Sequence, residues 1–467
     1  GLVSTLATNG QNGTLLLDPT DFAVIDGGAG AGGVNEISNA DLITQLGLGN
    51  VVIATDSAGT EDGTITVETG ADVIWNTGNS LALLAHGDIL FHASVQNAGI
   101  GGVTAVAGWD GATGFGGSAG APQSGTVDFA DFVADPGSYG NAIGTATGTI
   151  YVGDGNQTAG IAVGSAGGAT QVAGHGLELT GGATDDAYAQ LGYRPTAAGP
   201  VTGDILLHMA GGVSLASGSG SSAYAQIGHG GHDSDGTMTG DISLTAGAGP
   251  VEIDAGGGGE NAYAQIGHGG RLAAGDLLDG EITVSFGGPG DLNFQGGANV
   301  GTYAQLGHGG NGFSGGAVEG GITVSNAGDV ALIGGQNADA YVQIGHGGRG
   351  AVAGTMNDGT ADFAGDIAIG TVDGGSLTVR GNLLSALSIP NARYAYAQIG
   401  HGGAGARGDG DGSIHLDIDG SGDAGGPDNS DARRERILFH TVVAPEYGGQ
   451  GLASVLVRAV VEETIAA

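Results

Sequence analysis

Residues 262–270 read AYAQIGHGG, and this stretch decides the fold because the chain keeps returning to it. Versions of it begin at 187 (AYAQLGY), 223 (AYAQIGHGG), 302 (TYAQLGHGG), 340 (AYVQIGHGG) and 395 (AYAQIGHGG). The tyrosines therefore fall at Tyr188, Tyr224, Tyr263, Tyr303, Tyr341 and Tyr396, at spacings of 36, 39, 40, 38 and 55 residues. A second motif alternates with the first: GDILL from 203, GDISL from 240, GEITV from 280, GGITV from 320, GDIAI from 365 and GSIHL from 412. Both are short runs of alternating side chains bounded by glycine, which is the signature of strands. A fixed period of this length marks a solenoid, in which each unit buries its apolar face only against its neighbours.

The half-period of about 20 residues suits one coil of a narrow solenoid. We therefore expect two coils per repeat, with a YAQIG strand stacked beside a GDI strand. The competing arrangement is one larger coil per repeat with a loop protruding after HGG. Alternation puts Ala262, Ala264, Ile266 and His268 on one face and Tyr263, Gln265 and Gly267 on the other. The first set suits a tight interior, so Ile227, Ile266, Ile344 and Ile399 with Leu191 and Leu306 should be buried in a line. The tyrosines, with Gln226 and Gln265, are then expected as exposed ladders.

Composition agrees with such a scaffold. Glycine supplies 104 of 467 residues without a three-residue period, and charged residues are 12%, which excludes collagen and charge-rich disorder. The net charge of −38 and the lack of any lysine would repel a phosphate backbone or an anionic membrane, so no nucleic-acid partner is expected. No apolar run approaches the roughly 18 residues of a membrane span, so no insertion is expected. There is no cysteine, hence no disulfide or thiol chemistry. The chain opens on Gly1 without a leader and reads as a fragment or processed product.

The N-terminal part contains GTLLLDPTDFAVIDGG from 13 and a long stretch from 40 that includes SLALLAHGDI at 80–89. It resembles the filamentous-haemagglutinin family of two-partner secreted exoproteins, with their LLLDP segment, Leu-rich pre-strand and tLtL.A..dI pattern. The resemblance covers residues 13–110 and extends more loosely through the repeats. It implies a right-handed parallel β-solenoid, export through an outer-membrane transporter partner, display or release at the bacterial surface, and adhesion to a host or environmental glycan or protein.

The last 35 residues differ: 433–467 hold 4 acids and 4 arginines, against 44 and 6 in the rest. RILFHTVVAPEYGGQGLASVLVRAVVEE, from 436, resembles the pyrophosphate-binding strand, turn and helix of small GNAT-type N-acetyltransferases. The resemblance implies acetyl-CoA contacts from Gly449, Gly451 and Ala453 in a complete domain. Because the other strands of that fold are missing, no acetyl transfer is expected. The division is thus a haemagglutinin-like region over 1–180, a repeat region over 181–430 and a GNAT-like segment over 431–467. One continuous solenoid should run from 13 to about 425, with irregular loops near 111–145 and 347–362.

His229, His268, His308, His346 and His401 follow the YAQ motif, a pattern that raises the idea of a metal-binding imidazole column. No acid accompanies them at constant spacing and Tyr193 stands in for one of them, so strand-closing hydrogen bonds between rungs are the expected role. Asp409, Asp411 and Asp423, in an Asp- and Gly-rich stretch, are the candidate calcium ligands. Apart from calcium, no cofactor is expected and no catalytic residue stands out. A glycan-processing β-helix enzyme is the alternative to an adhesin.

Overall fold

The computed structural model describes residues 13–17, 19–30, 32–33, 35–55, 62–111, 129–130, 148–196, 199–354, 362–372, 374–381, 395–408, 410–418 and, as backbone, 435–440. The fold is a parallel β-solenoid made of three long sheets of 12, 11 and 9 strands. A coil visits them in turn, for example Ile205–Met209, then Val213–Ala216, then Ala225–Ile227. At about 4.8 Å per strand the largest sheet runs for roughly 50 Å.

Like pairs with like. Ile205, Ile242, Ile282, Ile322, Ile367 and Ile414 follow one another in register along the first sheet. Gln190, Gln226, Gln265, Gln305, Gln343 and Gln398 do so along the third. This corrects the expectation of two coils per repeat: GDI and YAQIG strands lie in different sheets, and each repeat is one large coil. The half-period misled because coils of about that size do occur earlier in the chain, where Leu81–Ala85 pairs directly with Val103–Ala107.

The repeat coils are longer because the segment after HGG folds back over the outside of the third sheet. There it builds a fourth parallel sheet from Ala274–Leu278, Ser314–Val318, Phe363–Ala364 and Gly410–Asp411, with Val352–Ala353 paired at its side. Met238, Leu278, Phe313, Val318 and Phe363 form a small apolar core beneath this flap.

The main core is one column of inward-facing aliphatic side chains, including Leu191, Ile227, Ile266, Leu306 and Ile344, all 0% exposed, with Ile399 partly buried at its end. Each fully buried Val, Leu or Ile contributes roughly 1.5–3 kcal/mol, so no single rung dominates. The sheets cross residue 180 without a break: Thr170–Gly174 pairs with Ile205–Met209, and Gly176–Thr180 with Val213–Ala216. The described strands on either side of residue 180 are therefore one stack.

Asn39–Leu48 forms a helix, which the sequence reading did not single out. Ser38 caps it by accepting the Asp41 N–H at 3.1 Å, and Leu42 and Leu46, one turn apart, both enter the main core. The helix packs on Val73–Trp75, the edge strand of the third sheet, and takes the place of a strand there. At the other end, Glu435–His440 adds to Ser413–Ile418 in the antiparallel sense, matching the strand expected from Arg436. The helix expected after it lies outside the described residues, as do Gly449, Gly451 and Ala453. The loop expectations fall mostly on 112–128, 131–147 and 355–361, also outside them.

Candidate functional site: buried tyrosine, glutamine and histidine columns

The polar face of the YAQ strands is not exposed. Tyr224, Tyr263, Tyr303 and Tyr341 are 0% exposed, as are Gln226, Gln265, Gln305 and Gln343. Alternation holds, since Ala264 and Ile266 enter the main core while Tyr263 and Gln265 point away from it. The error lay in taking the outer face for a solvent face, because the flap covers it. The second glycine of HGG makes this cover possible. A Cβ on Gly231, Gly270, Gly310, Gly348 or Gly403 would run into the hydroxyl of Tyr224, Tyr263, Tyr303, Tyr341 or Tyr396 respectively.

From Tyr188 through Tyr224, Tyr263, Tyr303 and Tyr341 to Tyr396 the rings stack, with centroids 4.6–5.0 Å apart and planes within 11° of parallel. Four of the hydroxyls reach back one rung. Tyr224 donates to Gln190 Oε1 at 2.9 Å, Tyr263 to Gln226 at 3.4 Å, Tyr303 to Gln265 at 3.2 Å and Tyr341 to Gln305 at 3.4 Å. Each amide reaches forward, as when Gln265 Nε2 donates to the carbonyls of Gly307 and Gly309 at 3.1 and 2.7 Å. These bonds satisfy groups that would cost about 1–3 kcal/mol each if buried alone. The series opens at its last step, where no bond joins the Tyr396 hydroxyl to Gln343 Oε1.

Burial raises the phenol pKa of all six stacked tyrosines, because a phenolate there would lose its water. On alkaline titration to pH 11, absorbance at 295 nm should show no ionisation from Tyr224, Tyr263, Tyr303, Tyr341 and Tyr396 until the fold is lost. Ionisation of all 11 tyrosines in a still-folded chain would contradict their burial.

The histidines form a second stack, with centroids 4.7–5.0 Å apart from His229 to His401. His268 Nδ1 accepts the His229 N–H at 3.0 Å, and His268 Nε2 faces the Gly240 carbonyl at 2.8 Å. The same pair of bonds recurs at His308 and His346, and at His401 against the His346 N–H and the Gly365 carbonyl. His229 serves Tyr193 and Gly203 in the same way. Because an N–H only donates and a carbonyl only accepts, each ring is fixed as the neutral Nε2–H tautomer. Both nitrogens are occupied, which leaves no lone pair for a metal and bears out the strand-closing role.

The glycine of QIG is equally constrained. Gly307 has φ +147°, and a Cβ there would meet the Gly345 carbonyl of the next rung. Gly307→Ala should cost about 2–4 kcal/mol from backbone strain and overpacking, read as a fall in the denaturation midpoint. An unchanged midpoint would show that the rungs are not so closely stacked.

Two elements of the site escaped sequence reading. The glutamine column extends beyond Gln226 and Gln265 to Gln190, Gln305, Gln343 and Gln398, which the repeat alignment already contained. Arg194 occupies the first rung where later rungs have glycine. Its guanidinium lies 4.7 Å from the Tyr188 ring centroid and donates to the Tyr224 hydroxyl at 2.8 Å, closing the start of the tyrosine stack. Nothing periodic announces a residue that occurs once.

Of the calcium candidates, Asp411 is exposed on the last flap strand, while Asp409 and Asp423 lie outside the described residues. Among the described residues no three acids or imidazoles are grouped to hold a metal, and no helix is long and apolar enough to cross a membrane. Comparison with protein-family profiles, curated proteins and solved structures returned no match.

Proposed function

We propose that the chain is a structural module of a secreted or surface-displayed bacterial adhesin, a stiff acidic rod that holds an attachment surface away from the cell. The observation that carries this reading is the use made of the polar side chains. The tyrosines, glutamines and histidines of the repeat are buried and bonded between rungs instead of converging on a cleft. A parallel stack with this cross-linking resists bending and extension, which is what attachment under load requires. The resemblance of residues 13–110 to secreted exoproteins supports export and adhesion to a glycan or protein, and the net charge of −38 supports solubility outside the cell.

The test is to present the purified chain, in parallel, to glycan arrays, matrix proteins and uronic-acid polymers. Retention on a glycan or matrix protein without chemical change supports the proposal. Cleavage of any polymer would replace it with the β-helix enzyme reading, and turnover of acetyl-CoA would assign activity to Gly449, Gly451 and Ala453.

A further inference from the structure

The outer faces of the three main sheets differ where the repeats stack. The flap covers that of the third sheet, and the second carries the exposed charges Glu178, Glu252, Asp254 and Arg380. The first sheet presents hydroxyls instead. Ser243, Thr283 and Thr323 stand in register in one outward column, and Thr245, Ser285 and Ser325 in a second, all partly exposed. Adjacent rungs touch, since Thr245 Oγ1 and Ser285 Oγ lie 3.1 Å apart. Leu206 and His208 precede these columns and Ala368 and Gly370 follow them, so no Asp, Glu, Lys or Arg faces outward from five successive strands of a chain with net charge −38. Burial holds the His208 imidazole below its usual pKa, which keeps it neutral at pH 7.

Acids line one edge of this neutral face. Asp204, Asp241 and Glu281, all exposed, stand two residues before the outward columns and so on the same side by alternation. Asp204 Oδ1 accepts the Asp241 N–H at 3.0 Å and Asp241 Oδ1 accepts the Glu281 N–H at 2.9 Å, which leaves the second oxygen of each for a donor outside the chain. We propose that the face binds a neutral, extended hexose polymer laid along the solenoid axis. Its hydroxyls exchange hydrogen bonds with Thr283, Ser285, Thr323 and Ser325 and donate to the carboxylates of Asp241 and Glu281. Charge and spacing choose this occupant. The acidic edge repels an anionic polymer, and it repels the same edge of a second copy, whereas neutral sugar hydroxyls both donate and accept. Rungs about 4.8 Å apart also advance by close to the length of one hexose in an extended chain, so each sugar meets the same set of groups. The inference rests on the adhesive reading above and narrows its partner to an uncharged glycan.

The test is affinity electrophoresis of the full chain through gels holding hydroxyethyl cellulose, galactomannan or polygalacturonate. A neutral polymer should retard the chain, with little change on adding salt, and polygalacturonate should not. Joint replacement by Thr283→Val, Ser285→Ala, Thr323→Val and Ser325→Ala should weaken retardation by at least about tenfold, at roughly 0.5–1.5 kcal/mol for each hydrogen bond lost. Glu252→Gln on the second sheet should leave it unchanged. Thr283→Val alone keeps a β-branched side chain in the strand, should weaken retardation about threefold, and covers the case in which the fourfold variant fails to fold. Equal retardation of wild type and both hydroxyl variants would overturn this face while leaving adhesion to a neutral glycan in place. Binding only to polygalacturonate or to a matrix protein would overturn the choice of a neutral glycan while leaving adhesion in place. Absence of binding to any glycan or matrix protein would overturn both.

Discussion

Lowering the pH from 7 to 5 should destabilise the repeat coils by about 6 kcal/mol or more, an effect larger than most single substitutions. Burial depresses the histidine pKa values, to about 3 for His229 and His346 and about 4 for His268, with His308 and His401 shifted in the same direction. A folded pKa below the unfolded value near 6.5 means that the unfolded chain takes up protons first as the pH falls. The stabilisation is thus complete above about 6.5 and drains away down to the folded values of 3 to 4. At pH 5 the gap from 6.5 is about 1.5 units, or roughly 2 kcal/mol for each of the three histidines, and the other two act in the same sense. The geometry gives the same sign. A protonated Nδ1 would point an N–H at the N–H of the preceding rung, turning a bond into a repulsion. The carboxylates of Asp204 and Asp366 oppose the shift at His229 and His401 respectively without reversing it. Melting followed by circular dichroism at pH 7.5, 6 and 5 is the measurement, and a constant midpoint would contradict the neutral, bonded column.

The second large effect is expected from Tyr303→Ala, which should cost about 4 kcal/mol or more. The ring is fully buried between Tyr263 and Tyr341, at centroid distances of 4.7 and 5.0 Å, so truncation leaves a cavity that closely stacked neighbours cannot fill. Aromatic truncation in a core typically costs about 3–5 kcal/mol. Removing the hydroxyl also strands Gln265 Oε1, worth about a further 1–3 kcal/mol. Tyr303→Phe keeps the stack and loses only the hydroxyl's bonds, to Gln265 and to the Asn311 backbone, so it should cost about 1–3 kcal/mol. Denaturation of the two variants side by side separates the terms. Equal midpoints would mean that the stack contributes nothing beyond its hydroxyls. Because coils interact only with their neighbours, the loss should appear first around the altered rung and spread from it.

The strands and their inward faces were legible because alternation is a local property: Ala264 and Ile266 could be assigned to the core from seven residues of sequence. What lay against the opposite face was not local. It depended on residues such as Ala274 to Leu278, whose sequence AGDLL has little strand character, and which become a strand only because Ser314–Val318 and the flap core hold them there. The coil size was hidden for a related reason, since the spacing between motifs carries no record of which strand pairs with which. The return of the same Tyr, Gln and Gly once per whole repeat was the available clue, because each buried Gln bonds the Tyr hydroxyl and the Gly carbonyls of the neighbouring rung. The helix at Asn39–Leu48 was masked by Ile43, Thr44 and Gly47, all poor helix formers, and its formation rests on burying Leu42 and Leu46.

The histidine bonding pattern has a consequence for how such a chain changes over generations. Each repeat coil presents to the next the same imidazole nitrogen, the same amide and the same glycine carbonyls that it receives from the one before. Duplication or loss of one whole coil therefore leaves every surviving junction chemically unaltered. An insertion of a few residues within a strand would instead bring unlike partners together along all these columns at once. Length in this protein is free to vary in steps of a complete turn and strongly resisted in between, so natural variants should differ by integral coils and keep their irregular additions to the turns.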